Sequence, residues 1–253
     1  MDLLSLQSGS NGNCIYVEAG GVRLLFDAGI SGKQAAERLH HAGRDIAQVD
    51  ALIISHDHAD HVRCAGVYQR KFGLPLYCTE ATLRAARLSC DLGRLDAVCH
   101  FMRGETLRFG RVRVETIRTP HDGTDGVAFI VDDGASRLGI FTDLGHPFEE
   151  LKGALSSVDA ALIESNYDAE MLQKGPYPAF LKKRIAGPGG HISNLESAEL
   201  IAHHGTRLRW ACLGHLSEAN NAPELALGTH LAVNRRSEER RVGKECRDRW
   251  WPY

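Results

Sequence analysis

The 253-residue chain has no stretch approaching the roughly 18 consecutive apolar residues of a membrane span. Its start, Met1-Asp2-Leu3-Leu4, lacks the basic residues and long apolar run of a secretion signal. Both absences point to a cytoplasmic protein that does not engage membranes. The seven cysteines are odd in number, scattered and never spaced C-x-x-C, which fits reduced, packing thiols rather than nucleophiles or zinc ligands. There is no excess of positive charge either: 30 Lys/Arg against 32 Asp/Glu give −2. Residues 235–253 alone carry seven Lys/Arg and four Asp/Glu, so residues 1–234 hold a net −5 and are not a polycation. No internal repeat or low-complexity linker divides the chain. What is present, 43% hydrophobic and 25% charged residues, suffices for a sizeable core.

Near the C-terminus, Arg236-Ser-Glu-Glu-Arg-Arg-Val-Gly-Lys-Glu-Cys246 resembles the translation of a common short-read sequencing adapter. On that reading residues 235–253 are an artefactual, disordered tail, and the native C-terminus is missing from about Asn234 onward. Residues 1–234 are then the single domain to be explained. The tail also mixes Arg with Trp250 and Trp251, as nucleic-acid arms do, but no function is built on it.

The most informative residues are His56-Asp57-His58-Ala59-Asp60-His61, the pattern H-x-H-x-D-H, one residue after the apolar run Ala51-Leu52-Ile53-Ile54. Side chains alternate along an extended backbone, so His56 and His58 point the same way and can grip one ion. Asp60 and His61, entering the next turn, can hold a second. Imidazole and carboxylate ligands without thiolate fit an open, catalytic site rather than a closed structural zinc site. A single histidine in a polar loop would be unremarkable; four metal-competent side chains in six residues after a strand are not.

Short apolar runs predict strands at 3–6, 15–18, 22–26, 51–54, 76–77, 111–117, 127–131, 137–141, 160–163 and 210–213. Helical spacing predicts helices over 33–41, 61–72, 81–88, 147–155, 177–185, 195–204 and 223–231. Gly20-Gly21 reads as a hairpin turn, and Ser193-Asn-Leu-Glu196 as a capping box. Strands first and then strands mixed with helices predict an α+β fold of packed sheets covered by helices.

Further ligands should sit at other strand ends, where grafted sites lie. His121 follows Val114-Glu-Thr-Ile-Arg-Thr-Pro120, Asp143 follows Gly139-Ile-Phe-Thr142, and His215 follows Trp210-Ala-Cys-Leu-Gly214. Asp27, closing Leu24-Leu-Phe26, is a candidate to orient a ligand histidine from behind.

This series, an early Asp, H-x-H-x-D-H, then His, Asp and a late His, resembles the signature of the metallo-β-lactamase superfamily over nearly the whole chain. The resemblance implies a four-layered αβ/βα sandwich with two divalent ions, zinc or manganese, between the sheets. It implies that His56, His58 and His121 hold one ion and Asp60, His61 and His215 the other, with Asp143 bridging. Ser8-Gly-Ser-Asn-Gly-Asn13, Glu164-Ser-Asn-Tyr-Asp168, Gly175-Pro-Tyr-Pro178, Gly190-His-Ile-Ser-Asn194 and His215-Leu-Ser-Glu-Ala-Asn-Asn221 narrow it to the YycJ (WalJ) group. That group implies a cytoplasmic 5′ to 3′ DNA exonuclease related to the nucleases RNase J and RNase Z. Tyr167 stands where the group would have His, and His121-Asp-Gly-Thr-Asp125 stands where the group would have Ala after the Asp.

Two ions about 3.5–4 Å apart lower the pKa of a shared water toward neutrality and stabilise both oxygens of a phosphodiester displacement. A bridging hydroxide is thus the expected nucleophile, with Asp60 orienting it and shuttling its proton. His191, Ser193 and Asn194 before one helix, and Ser217, Asn220 and Asn221 before another, are expected to bind the substrate phosphates. By resemblance to late histidine motifs in RNase J, His191 binds the scissile phosphate or protonates the leaving group. The alternatives are an RNA nuclease, a small-molecule hydrolase acting on a thioester, lactone or β-lactam, and a metal-bound scaffold without activity. The small-molecule hydrolase requires an enclosed apolar pocket. The complete ligand set argues against the scaffold.

Overall fold

Alternation of apolar side chains along short strands decides the architecture. In β1 (Asp2–Gln7), β2 (Cys14–Ala19), β3 (Val22–Phe26), β4 (Ala51–Ile53), β5 (Leu76–Cys78) and β6 (Val98–His100), one sheet forms in chain order. Within it Ile15, Val17, Leu24, Phe26 and Ile53 face one core, while Tyr16, Leu25 and Leu52 face another. Both faces of these strands are therefore buried, at roughly 1.5–3 kcal/mol per large apolar side chain. The computed structural model describes residues 1–234, and the expected tail at 235–253 lies outside the described residues.

The second sheet takes β7 (Thr106–Phe109), β8 (Val112–Arg118), β9 (Val127–Asp132), β10 (Arg137–Phe141), β11 (Ala160–Glu164) and β12 (Trp210–Gly214), again in chain order. Val114, Val127, Phe129, Val131, Ile140 and Leu162 pack on the first sheet, and Phe26 meets Phe129 with ring centroids 4.9 Å apart. Their neighbours Ala128, Ile130, Ala161 and Ile163 turn outward onto Leu151, Leu155, Leu200 and Ile201 of two helices. Helices Gly32–His41, Ala65–Phe72 and Glu80–Ser89 cover the outer face of the first sheet through Ala35, Leu39, Tyr68, Leu83 and Ala86. The result is helix, sheet, sheet, helix: the expected four-layered sandwich. Among the described residues no helix is long and apolar enough to cross a membrane.

In each sheet an antiparallel half continues into a parallel half. The parallel halves matter for the site, because neighbouring strands then end on the same side. The hairpin between β2 and β3 turns at Gly20 and Gly21, both with positive φ (58° and 84°), a pairing that suits right-handed strand twist and favours glycine.

Three expectations are corrected. The helix expected over 61–72 is two, Ala59–Val62 and Ala65–Phe72, because Cys64 leaves helical geometry and gives its N–H to the Ala28 carbonyl. β6 and β7 carry mixed polar sequences, VCH and TLRF, with little apolar alternation, and escaped the sequence reading. So did the helix Ala169–Lys174, whose one buried side chain, Leu172, gives no periodic signal.

Candidate metal centre

The expected ligand residues stand at strand ends on one edge of the sandwich. His56 and His58 follow β4, His121 follows β8, Asp143 follows β10 and His215 follows β12. Of the four non-glycine residues with positive φ among the described residues, three are here: Asp27 (64°), Asp143 (55°) and His215 (53°). The left-handed region costs such residues about 1–3 kcal/mol and persists only where the surroundings enforce it. The hydroxyl of Ser8 accepts the His215 N–H at 2.8 Å, and the Asp27 carboxylate accepts from the Ser55 N–H and hydroxyl at 2.8 and 2.9 Å. Gly29 lies so close beneath Asp60 that a Cβ there would sit 1.6 Å from the Asp60 carbonyl oxygen.

The seven expected ligands converge. His56, His58 and His121 place one ligand atom each within 4.8 Å of one another, as do Asp60, His61 and His215, and as do His56, His61 and Asp143. Asp143 stands between the two ligand sets, with carboxylate oxygens 3.3 Å from His61 Nε2, 3.6 Å from His121 Nε2 and 3.6 Å from His215 Nε2.

The back of each ring is held by the protein. His61 Nδ1–H donates to Asp27 at 2.8 Å, the orienting contact expected of Asp27. His56 Nδ1 meets the Ser55 hydroxyl at 2.9 Å, and His121 Nδ1–H donates to the Gly190 carbonyl at 2.8 Å. Bonding one nitrogen fixes the tautomer and turns the other toward the centre. His58 differs, presenting Nδ1 at 3.2 Å from His121 Nε2. Three buried atoms here have no hydrogen-bond partner: His56 Nε2, His215 Nε2 and Asp143 Oδ2. Buried polar atoms are almost always paired, so orphans converging on one point mark the seat of a cation, and these residues fit two divalent ions.

Glu164 and Asn13 are the site residues that the sequence reading did not single out. Glu164 ends β11, fully buried, and accepts from His191 Nδ1–H at 2.6 Å, His215 Nδ1–H at 3.1 Å and the Leu144 N–H at 2.9 Å. An acid closing the apolar run Ala160-Ala-Leu-Ile163 is the same signal that identified Asp27. Asn13 gives its amide to Asp60 Oδ2 at 3.2 Å and lies 2.8 Å from His61 Nε2.

Charge in the cluster follows from burial against neighbours. Burial disfavours the charged form of His56, reinforced by His61, and holds its pKa well below the usual range. Burial works the same way on His61 and His215, yet is outweighed. Asp143, Asp27 and Asp60 raise His61 to about 10, and Asp143 and Glu164 raise His215 to about 9. Burial alone would raise Asp143 and Glu164. Facing histidines instead hold Asp143 well below the usual carboxylate range and bring Glu164 to about 2.

Protons on His61 and His215 compete with metal for the same rings. A raised pKa means both rings are protonated at neutral pH, so each ion bound there displaces a proton, and affinity must rise as pH climbs toward about 9. Zinc affinity, measured by competition with a chelator from roughly pH 6 to 8, is expected to increase up to about tenfold per pH unit for each proton displaced. A flat profile would contradict this charge assignment.

A cleft of about 380 Å³ opens over the cluster, lined by His58, Asp60, His121, Asp143, His191 and His215, with Ser217, Arg184 and Tyr177 among the residues around them. The two residues expected to act on substrate, Asp60 and His191, both line it, partly exposed. His191 has Nδ1 committed to Glu164, and its ring lies 5.0 Å from that of His121 and 5.1 Å from that of His215. Of the five residues expected to bind substrate, only Ser217 lines the cleft. The other four lie outside that lining, and their side-chain polar atoms, Asn220 Oδ1 excepted, have partners within the protein. Ser193 caps the helix Asn194–His204 in a capping box. Asn194 and Asn221 are buried and bond each other at 2.9 Å, and Asn221 also donates to the Ser165 and Asn166 carbonyls at 2.8 and 3.0 Å. Asn220 is fully buried and donates to Ser217 at 3.2 Å.

The profile of the metallo-beta-lactamase superfamily matches residues 8–197. Over 226 residues, 87% of this chain and 83% of the relative, the sequence is 39% identical to exodeoxyribonuclease WalJ of Streptococcus pneumoniae. It is 34% identical to exodeoxyribonuclease YycJ of Bacillus anthracis over 239 residues, 94% of this chain and 89% of that one. Among solved structures, the metallo-beta-lactamase fold protein YhfI from Bacillus subtilis superposes with a TM-score of 0.70 at 18% identity, covering 91% of each chain.

Proposed function

This chain belongs to the metallo-β-lactamase superfamily, and we propose that its cluster degrades DNA from a 5′ end, using two ions of zinc or manganese. It is a metal-dependent nuclease, as its exodeoxyribonuclease relatives support. The observation that carries the choice of a phosphodiester is the lining of the cleft. Histidines, carboxylates, Ser217, Asn166 and Arg184 dominate it, and the enclosed apolar pocket that a small-molecule hydrolase requires is missing from this lining.

His56, His58 and His121 would hold one ion, Asp60, His61 and His215 the other, and Asp143 would be shared between them. When bound, such ions lower the pKa of water toward neutrality and neutralise charge on a phosphodiester. Asp60 orients the attacking water and accepts its proton. Held at Nδ1 by Glu164, His191 has its Nε2 available to a substrate oxygen; there it binds the scissile phosphate or delivers a proton to the leaving oxygen. Asp27 and Glu164 keep His61, His191 and His215 in register. We read residues 1–234 as one catalytic domain that works in the cytoplasm, where its substrate lies.

Purified protein loaded with manganese or zinc is expected to release nucleotides from 5′-phosphorylated duplex DNA in preference to single-stranded RNA or a thioester. His58→Ala is expected to lose most of this activity. Turnover of the thioester alone would remove the nuclease assignment, and undiminished activity of His58→Ala would undo the ligand assignment.

A further inference from the structure

The ligand cluster addresses the phosphate at the scissile bond, but a strand brings its neighbours too. Among the described residues that line the cleft, Arg184 is the single Arg or Lys, and the other permanently ionisable lining groups are Asp60, Asp122 and Asp143. A polyanion entering a cleft with three carboxylates gains most from the one fixed cation there. Arg184 stands on the helix Ala179–Ile185, which buries none of its side chains. Tyr177, Leu181 and Ile185, four residues apart from one another, also line the cleft.

The guanidinium is aimed rather than loose. Its Nε donates to Asp122 Oδ2 at 2.7 Å, and both Nη groups have no protein partner among the described residues. The arginine side chain is 58% exposed, and such a pair contributes about 0–1 kcal/mol to stability, so folding gains little from it. What the pair does is preorganise two Nη donors at the rim, in the fork geometry that matches phosphate. One turn earlier Phe180 is 74% exposed, so most of this aromatic residue faces solvent.

We propose that the helix Ala179–Ile185 is a strand clamp, in which Arg184 Nη groups bind a backbone phosphate adjoining the scissile one and Phe180 stacks on a neighbouring base. The clamp rests on the nuclease reading and deepens it. It makes the preferred substrate a polynucleotide, with a second phosphate and a base in reach, rather than an isolated diester. Stacking on an exposed aromatic ring is indifferent to base identity, so the clamp gives affinity without sequence preference.

The test uses the full chain loaded with manganese, a fluorescein-labelled single-stranded oligodeoxynucleotide, and bis(p-nitrophenyl) phosphate, which carries one phosphate. Arg184→Gln is expected to raise KM for the oligonucleotide on the order of tenfold, with a smaller change in kcat, and to lose less on the small diester. The slope of log Kd against log salt, from fluorescence anisotropy, should fall by about 0.7, one single-strand phosphate contact. Arg184→Lys should keep that slope, and Phe180→Ala should weaken binding by about fivefold or more. Asp122→Asn, which frees the guanidinium, should leave the slope unchanged. The clamp is overturned if Arg184→Gln leaves KM and slope untouched, or if Asp122→Asn reproduces the loss of slope, since Arg184 would then only support Asp122. Arg184-dependent binding of an oligonucleotide that the wild type fails to cleave would remove the nuclease reading and keep the clamp.

Discussion

Replacing Asp143 by Asn is expected to lower nuclease activity on the order of 10³-fold and to reduce the metal content of the purified protein. The residue is buried, and its oxygens lie 3.3–3.6 Å from the Nε2 atoms of His61, His121 and His215, which belong to both ligand sets. Weakening an ion's seat removes several kcal/mol of charge stabilisation, at about 1.36 kcal/mol per factor of ten. Asparagine keeps the shape and loses the charge. The same substitution strips His61 and His215 of the strongest of the charges that keep them protonated, so both pKa values are expected to fall. Removing one partner of a buried charge set costs about 3–5 kcal/mol unless the remaining charge neutralises. A lower melting temperature in the presence of chelator should therefore accompany the loss of activity. Full metal content and full activity in Asp143→Asn would refute the shared-ligand assignment.

Glu164→Gln is expected to cost about 10- to 100-fold in activity, the usual effect of losing a group that orients metal ligands. Its carboxylate accepts from three donors at once: His191 Nδ1–H, His215 Nδ1–H and the Leu144 N–H. A glutamine has one acceptor oxygen, so its NH₂ must face either Leu144 or the two rings. At least one buried donor is then unpaired, at about 1–3 kcal/mol, readable as a shift in the urea midpoint. The carboxylate also raises His215, so its loss lowers that pKa from about 9 and removes a proton that metal must displace. Metal affinity in Glu164→Gln should accordingly depend less on pH than in the wild type. An unaltered pH profile would show that Glu164 does not govern His215.

Much of the site was legible before folding because strand geometry is local. His56-Asp57-His58 after Ala51-Leu52-Ile53-Ile54 can be read as two ligands on one side of a strand end, since the two-residue period comes from backbone stereochemistry alone. Asp27, His121, Asp143 and His215 were visible for the same reason, each a metal-competent side chain at the carboxyl end of a β-like run. The layered fold was legible too, as strands buried on both faces require cover on both. Glu164 carried the same signal yet was not read, and nothing local gives Asn13 its contact with Asp60. A polar residue at a helix start looks alike whether it caps, packs or binds, and only its place in the lining of the cleft separates Ser217 from Ser193, Asn194, Asn220 and Asn221, which are all buried as it is.

The sequence by itself determined the ligand types, their strand-end positions and the sandwich that carries them, because these follow from periodicity and side-chain chemistry. Only the tertiary structure decided which nitrogen each ring presents, which carboxylate holds it from behind and which cation faces the cleft. Those choices depend on contacts between residues far apart in the chain, such as Asp27 with His61, Glu164 with His215 and Asp122 with Arg184, and no local rule sets their distances.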